Sequence, residues 1–230
     1  MHDGYREYTY STTNNWPTYA HSAAHGVSLP YLLREAGLLD SATAIKLVAS
    51  DGYYFILTIG QVVGTRYSYR NHGSSGSSGA TVVEPIIAWE WGDDGNVREE
   101  SLRSFIGQCG PNEVNTSAFV RNLISIEVLA SPIGSWDAPA VSTDDGSSVP
   151  FGTELFLSHE DMDNVKIYYT LDGSEPDYNS RVYNRSTSYY QPYLTVPIVI
   201  LRDTTIRAFA AGLGRNPSPI VTFTYSIVEE

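Results

Sequence analysis

One cysteine, two lysines and no apolar run approaching the roughly 20 residues of a bilayer span set the first limits on this 230-residue chain. The single cysteine, Cys109, excludes an intramolecular disulfide and a cysteine-built metal site, so the folds must hold by packing alone. Lys46 and Lys166 are the only lysines, and 14 basic residues against 26 acidic ones leave a formal charge of −12. Polyanion binding needs clustered Lys and Arg that displace counterions, which excludes nucleic acid and anionic membrane surfaces as partners. The acid excess is spread along the chain: residues 1–137 carry 14 acids and 8 bases, residues 138–230 carry 12 and 6. No Gly-x-Ser-x-Gly elbow, P-loop or dinucleotide fingerprint occurs, so hydrolase and nucleotide chemistry lack a starting point. No signal peptide precedes His2, which places any export signal or anchor outside this sequence.

What is present is a globular composition with 42% hydrophobic residues and 17 tyrosines. The length points to two domains. An acidic, lysine-poor, tyrosine-rich chain suits an extracellular or cell-surface setting. The aperiodic run Pro132-Ile-Gly-Ser-Trp-Asp-Ala-Pro139, followed by Ser142-Thr-Asp-Asp-Gly-Ser-Ser148, marks a linker over 132–147 between domains at 1–131 and 148–230.

In the first domain, Ser28 to Gly37 predicts a short helix with Ser28 as cap, Pro30 in the first turn, Gly37 as exit, and Leu29, Leu32, Leu33 and Ala36 as its buried stripe. Strands are expected at 44–48 and 53–59 around the hairpin signal Ser50-Asp51-Gly52, then at 82–91, 102–106 and 123–129. The stretch Gly73-Ser-Ser-Gly-Ser-Ser-Gly79 reads as a flexible loop. The second domain reads as strand after strand, at 154–157, 165–170, 194–200, 205–210 and 220–227, with a tyrosine-rich insert over 177–192.

Several constellations invite chemistry. His21 and His25 would share a helix face as in a zinc pair, yet Pro17 and Gly26 flank them and no nearby acid completes a site, so no metal is expected. Asp93-Asp94, Glu99-Glu100 and Asp144-Asp145 are adjacent pairs, and neighbouring carboxylates rarely converge on one glycosidic oxygen, so no catalytic residue is assigned. Trp89 and Trp91 alternate along a strand and should face one side, as core in preference to a stacking platform. Trp16, Tyr19, Trp136 and the tyrosines of the insert leave carbohydrate binding open, with polysaccharide as partner.

Five blocks in the second half occur in order: Gly152-Thr-Glu-Leu-Phe-Leu-Ser158, Ile167-Tyr-Tyr-Thr-Leu-Asp-Gly-Ser-Glu-Pro176, Pro197-Ile198, Thr204-Thr-Ile-Arg-Ala208, and Ser218 to Tyr225. Together they resemble the C-terminal β-sandwich of chitobiases, β-hexosaminidases and bacterial surface proteins. The resemblance implies an all-β, immunoglobulin- or fibronectin-III-like accessory domain. Within it, the Asp172-Gly173-Ser174 turn would be structural: Asp172 bonds its own backbone and Gly173 takes the strained angle. A calcium site from Asp172, Glu175 and Asp177 lacks a loop signature.

The first half carries Gly26-Val-Ser-Leu-Pro-Tyr-Leu-Leu-Arg-Glu-Ala-Gly37, Val48-Ala-Ser-Asp-Gly-Tyr53, Val83-Glu-Pro-Ile-Ile-Ala88, Leu102-Arg-Ser-Phe-Ile-Gly107 and Leu123-Ile-Ser-Ile-Glu-Val128. These blocks resemble the molybdopterin-binding domain of the sulfite oxidase family and imply an α+β domain. That family ligates molybdenum through a cysteine upstream of the Gly-Val-x-Leu block. This chain has Tyr8-Thr-Tyr-Ser-Thr-Thr-Asn-Asn-Trp16 there, and a hydroxyl does not replace a soft thiolate. Cys109 lies in a different block. The resemblance thus implies an exported, non-catalytic binding, adhesion or spacer module without cofactor. The alternative, a molybdopterin-dependent oxidoreductase with an altered ligand set, would gather Asn14, Asn15, His21, His25 and Arg103 around the cofactor.

Overall fold

The computed structural model describes residues 3–70, 79–93 and 95–228. Residues 73–78 of the glycine-serine stretch, His72, and Asp94 of the Asp93-Asp94 pair lie outside the described residues. The chain forms two compact units. The first comprises Met1–Asn14, Thr18–Gly134 and Leu213–Arg215; the second comprises Asn15–Pro17, Ser135–Gly212 and Asn216–Glu230. Both are β-rich, with strands in several sheets.

The first unit runs β1 (Tyr5–Thr13), β2 (Tyr19–Ser28), α1 (Leu29–Glu35), β3 (Ala44–Ala49), β4 (Tyr54–Thr58), α2 (Ile59–Val63), β5 (Arg66–Tyr69), β6 (Ala80–Val83), β7 (Ile86–Gly92), β8 (Arg98–Phe105) and β9 (Leu123–Leu129). Its sheets are β1-β2-β7-β8, β4-β3-β9 and the pair β5-β6, all antiparallel. The hairpin between β3 and β4 turns at Gly52, whose φ of 88° suits glycine, while Asp51 Oδ1 accepts from the Tyr53 amide at 2.9 Å.

Helix α1 starts where its punctuation places it, with the Ser28 hydroxyl accepting from the Tyr31 amide at 3.3 Å. Leu29 and Leu33 are buried, but Ala36 is exposed, because the helix ends at Glu35 and the chain unwinds through Gly37. The expected single strand over 82–91 is two strands. Pro85 offers no amide to a ladder, and the Glu84 carboxylate is drawn aside by Arg6 Nε at 2.8 Å and by the Ser28 hydroxyl at 2.5 Å. Helix α2 was not expected; Thr58 and Gln61 form a reciprocal capping box that converts the end of β4 into a helical turn.

The hairpin of β1 and β2 supplies the edge of the four-stranded sheet. Along β2 the small residues Ser22, Ala24, Gly26 and Ser28 are buried while His21, Ala23, His25 and Val27 are half-buried. A bulge lies where His25 pairs with Glu90 and Gly26 with Ala88. There the backbones approach so closely that a Cβ on Gly26 would sit 2.1 Å from the Ile87 carbonyl oxygen. Tyr10, Leu29, Ile45, Leu47, Leu57, Ile86, Phe105 and Ile106 form the centre of the core.

The second unit runs β10 (Ala140–Val141), β11 (Ser148–Val149), β12 (Thr153–Leu155), β13 (Leu157–Ser158), β14 (Lys166–Thr170), β15 (Arg181–Val182), β16 (Ile198–Ile200), β17 (Thr204–Ala211) and β18 (Val221–Ile227). The order β11-β18-β17-β14-β15 makes one sheet, with β10-β13 and β12-β16 as pairs; β11 and β18 are parallel. Leu155, Leu157, Ile167, Ile198, Ile200, Ile206, Ala208 and Tyr225 fill the core. Residues 135–147 carry structure of their own: Trp136 is buried with Val165 and Ala210, and β10 pairs with β13. The Asp172 turn is built by hydrogen bonds from the Ser174 amide and hydroxyl to Asp172 Oδ1, at 3.0 and 2.5 Å, and by Gly173 at a φ of 76°. Glu175 lies 3.5 Å from Arg207, and Asp177 accepts from the Asn179 amide, so the three acids of the conceivable calcium set are engaged separately.

Candidate functional site

The region that the sulfite oxidase resemblance aligns with a metal-bearing loop is β1 itself. Ser11 is fully buried; its hydroxyl donates to Gln108 Oε1 at 2.6 Å and accepts from the Tyr69 amide at 2.9 Å. Gln108 Nε2 donates to Thr13 Oγ1 at 3.2 Å and to the Glu113 carbonyl at 2.7 Å. Asn115 Nδ2 donates to the carbonyls of Ser11 and Ile106, each at 3.0 Å, and its Oδ1 accepts from the Thr13 amide. The buried side chains of Gln108 and Asn115 therefore clamp β1, and the Ser11 hydroxyl is committed to Gln108 and the Tyr69 amide.

Cys109 belongs to the same buried network. Arg66 Nη1 lies 2.5 Å from Cys109 Sγ and 3.1 Å from Glu113 Oε2, and the same carboxylate oxygen accepts from the Cys109 amide at 2.7 Å. Arg66 and Glu113 are both buried, so the pair is a desolvated ion pair. Burial pushes the Cys109 thiol up to about 12, with the Glu113 charge adding to it and Arg66 opposing. A thiol so placed stays protonated at neutral pH. Nε and Nη2 of Arg66 have no hydrogen-bond partner among the described residues.

Of the five residues proposed for a cofactor, His21 and His25 lie on one face of the four-stranded sheet and Arg103 on the other. His21 and His25 lie on the half-buried face of β2, His21 Nε2 against the Tyr69 carbonyl at 2.9 Å and His25 Nδ1 3.3 Å from Glu90. Arg103 on β8 pairs across to Ala88, which pairs with Gly26, so it shares the opposite, buried face. Its guanidinium stacks over Trp91 at 4.5 Å and Phe105 at 4.9 Å and donates to Asp93 Oδ1 at 3.0 Å. Burial alone would raise the Asp93 pKa, but the Ser22 hydroxyl and the guanidiniums of Arg103 and Arg121 outweigh it and hold the carboxyl below its ordinary value. Asn14 belongs to the first unit and Asn15 to the second. A pterin phosphate needs convergent donors, and a molybdenum centre needs a soft ligand; neither requirement is met by these residues.

The aromatic expectations divide in the same way. Trp89 is the bulged residue and is exposed, whereas Trp91 is buried, its indole N–H donating to the Ser101 carbonyl at 2.9 Å. The two do not face one side, because the bulge breaks the alternation between them. In the second unit, Trp16 is 58% exposed and the insert tyrosines Tyr189, Tyr190 and Tyr193 are 77%, 62% and 67% exposed. Tyr183 is buried, and Tyr178 packs edge-on against Tyr168 with ring centres 5.3 Å apart.

Residues 155–225 match the family model described as Fn3 associated. The matched residues lie almost wholly in the second unit. Among solved structures, the chain is similar to the sulfane dehydrogenase SoxCD from Paracoccus pantotrophus, with 11% sequence identity and a TM-score of 0.39 over 97% of this chain and 69% of that chain. No curated protein matches the chain. No helix among the described residues is long and apolar enough to cross a membrane.

Proposed function

We propose that this chain is a non-catalytic module of a larger, exported cell-surface protein, in which a sulfite-oxidase-like first unit and an immunoglobulin-like second unit bind or present an extracellular ligand. The observation that carries the reading is the state of β1. The stretch 8–16, where the resemblance implies the family's metal thiolate, holds no cysteine; within it the buried Ser11 is held by Gln108 and the Tyr69 amide, while the one thiol of the chain lies against Arg66 and Glu113. The Fn3-associated match over 155–225 supports an accessory role for the second unit. The low lysine content and the acidic charge support an extracellular setting.

Turnover assays test the reading. The purified chain, produced in molybdenum-replete cells, is mixed with sulfite or thiosulfate and an artificial electron acceptor. The expected result is no acceptor reduction above the buffer rate. Reduction that depends on the chain and saturates with substrate would establish the oxidoreductase instead.

A further inference from the structure

We infer that Trp16 together with Tyr189, Tyr190 and Tyr193 of the second unit forms a stacking site for a neutral polysaccharide. The inference rests on the binding-module reading and gives it a place and a ligand class. The two stretches that build the site, residues 15–17 and 186–195, contain no Asp, Glu, Lys, Arg or His, in a chain that is 17% charged. Both stretches lie in the second unit. Their rings are nevertheless left in solvent, at 58 to 77% exposure, although burying them would be favourable. Trp16 meets Tyr190 edge to face with centres 6.0 Å apart, and Tyr189 lies against Tyr190 with centres 3.8 Å apart.

The loop that presents them is closed on itself. Thr195 Oγ1 donates to the Ser186 carbonyl at 3.1 Å, the Gln191 amide donates to the Ser188 carbonyl at 3.1 Å, and the Tyr190 amide donates to Ser188 Oγ at 3.2 Å. Asn15 fixes the tryptophan to the loop, its carbonyl accepting from the Thr187 amide at 3.1 Å and from the Ser186 hydroxyl at 3.3 Å. The backbone that carries the rings is therefore ordered before any ligand arrives, which lowers the ordering cost of binding.

Charge and shape select the ligand. The apolar C–H face of a pyranose stacks on an aromatic ring, and its hydroxyls suit tyrosine hydroxyls at the rim. A polyanion finds no cation among the residues of the patch, and a cationic partner finds no carboxylate there. The buried ammonium of Lys166 donates to the Asn15 side-chain oxygen.

The test is depletion of the full chain from solution by insoluble cellulose, starch and mannan, with alginate beads as the anionic control, followed by calorimetry with the matching hexasaccharide. The expected result is retention on at least one neutral polymer and none on alginate. Trp16→Ala and Tyr190→Ala should each weaken binding about tenfold or more, while Tyr190→Phe, which keeps the ring, should stay close to the parent. Thermal unfolding of each variant separates lost binding from lost folding. No retention on any neutral polymer, or unchanged binding in a folded Trp16→Ala variant, would overturn the inference. So would a concentration-dependent dimer abolished by Trp16→Ala in a chain that ignores every glycan, which would make the patch a self-association surface. Those failures, in a chain without sulfite or thiosulfate turnover, leave the non-catalytic reading standing; turnover alone overturns that reading.

Discussion

The ammonium of Lys166 lies 3.2 Å from the Asn15 side-chain oxygen and 2.9 Å from the Asn184 carbonyl, in a place only 2% open to solvent. Among the described residues no carboxylate forms an ion pair with it. Burial lowers its pKa to about 8 from 10.5, against the weaker opposing pull of Asp163.

The folded second unit therefore sheds this proton earlier than the unfolded chain does. Between pH 8 and 10.5 the unfolded state binds more protons, so the stability contribution of this group rises with pH; below pH 8 the cost of the buried charge is present in full. The whole interval is worth about 3 kcal/mol. Chemical denaturation at pH 7.5 and 9.5 should show the second unit gaining stability, and Lys166→Met should flatten the gain. Tyrosines such as Tyr169, whose pKa burial raises, act in the opposite direction only at higher pH.

Removing one partner of the Arg66–Glu113 pair leaves a buried charge alone. Glu113→Ala should destabilise the first unit by about 3 to 5 kcal/mol, whereas an exposed pair such as Arg34 with Glu35 should matter by less than about 1 kcal/mol. Urea titration of both variants makes the comparison.

The Cys109 thiol should resist alkylation. With a pKa near 12 it is almost wholly protonated at pH 8, so iodoacetamide should label the folded chain far more slowly than the urea-unfolded chain. Mass spectrometry over a time course reads the difference. Equal rates would mean the thiol is neither buried nor held.

Gly26→Ala should cost about 3 kcal/mol or more, because the atoms its Cβ would meet, Ile87 O and Ala88 Cα at 2.1 and 2.6 Å, are backbone and have no rotamer to retreat into. Loss of the thermal transition of the first unit, with the second unit retained, is the expected calorimetric trace.

Arg103→Lys should destabilise the first unit by about 1 to 2 kcal/mol, since a lysine keeps the charge but loses the planar stack on Trp91 and Phe105. Neutral glycan binding by the second unit should be unchanged in this variant.

What could be read from the chain beforehand follows local chemistry. Asp51-Gly52 announces its hairpin and Ser28 with Gly37 announces α1, because a turn or a cap is decided within a few residues. The hairpin of β1 and β2 was not legible. The buried face of β2 is Ser22, Ala24, Gly26 and Ser28, small residues without the β-branched signature of a strand. The break at Glu84-Pro85 is marked in the sequence only by the proline, inside an apolar run. Arg66, Cys109 and Glu113 could not be joined from sequence, since they meet only after a chain reversal of 43 and 47 residues. Trp16 and Tyr190 lie further apart still, but the absence of charge from 186 to 201 in an acidic chain is a signal the sequence does carry.

A module that binds without redox chemistry, as proposed, should carry no molybdenum cofactor. Molybdenum and extractable pterin, quantified by mass spectrometry and fluorescence in protein purified from molybdenum-replete cells, test it most directly. Far less than one molybdenum and one pterin per chain is expected; stoichiometric amounts of both, retained through gel filtration, would overturn the non-catalytic reading.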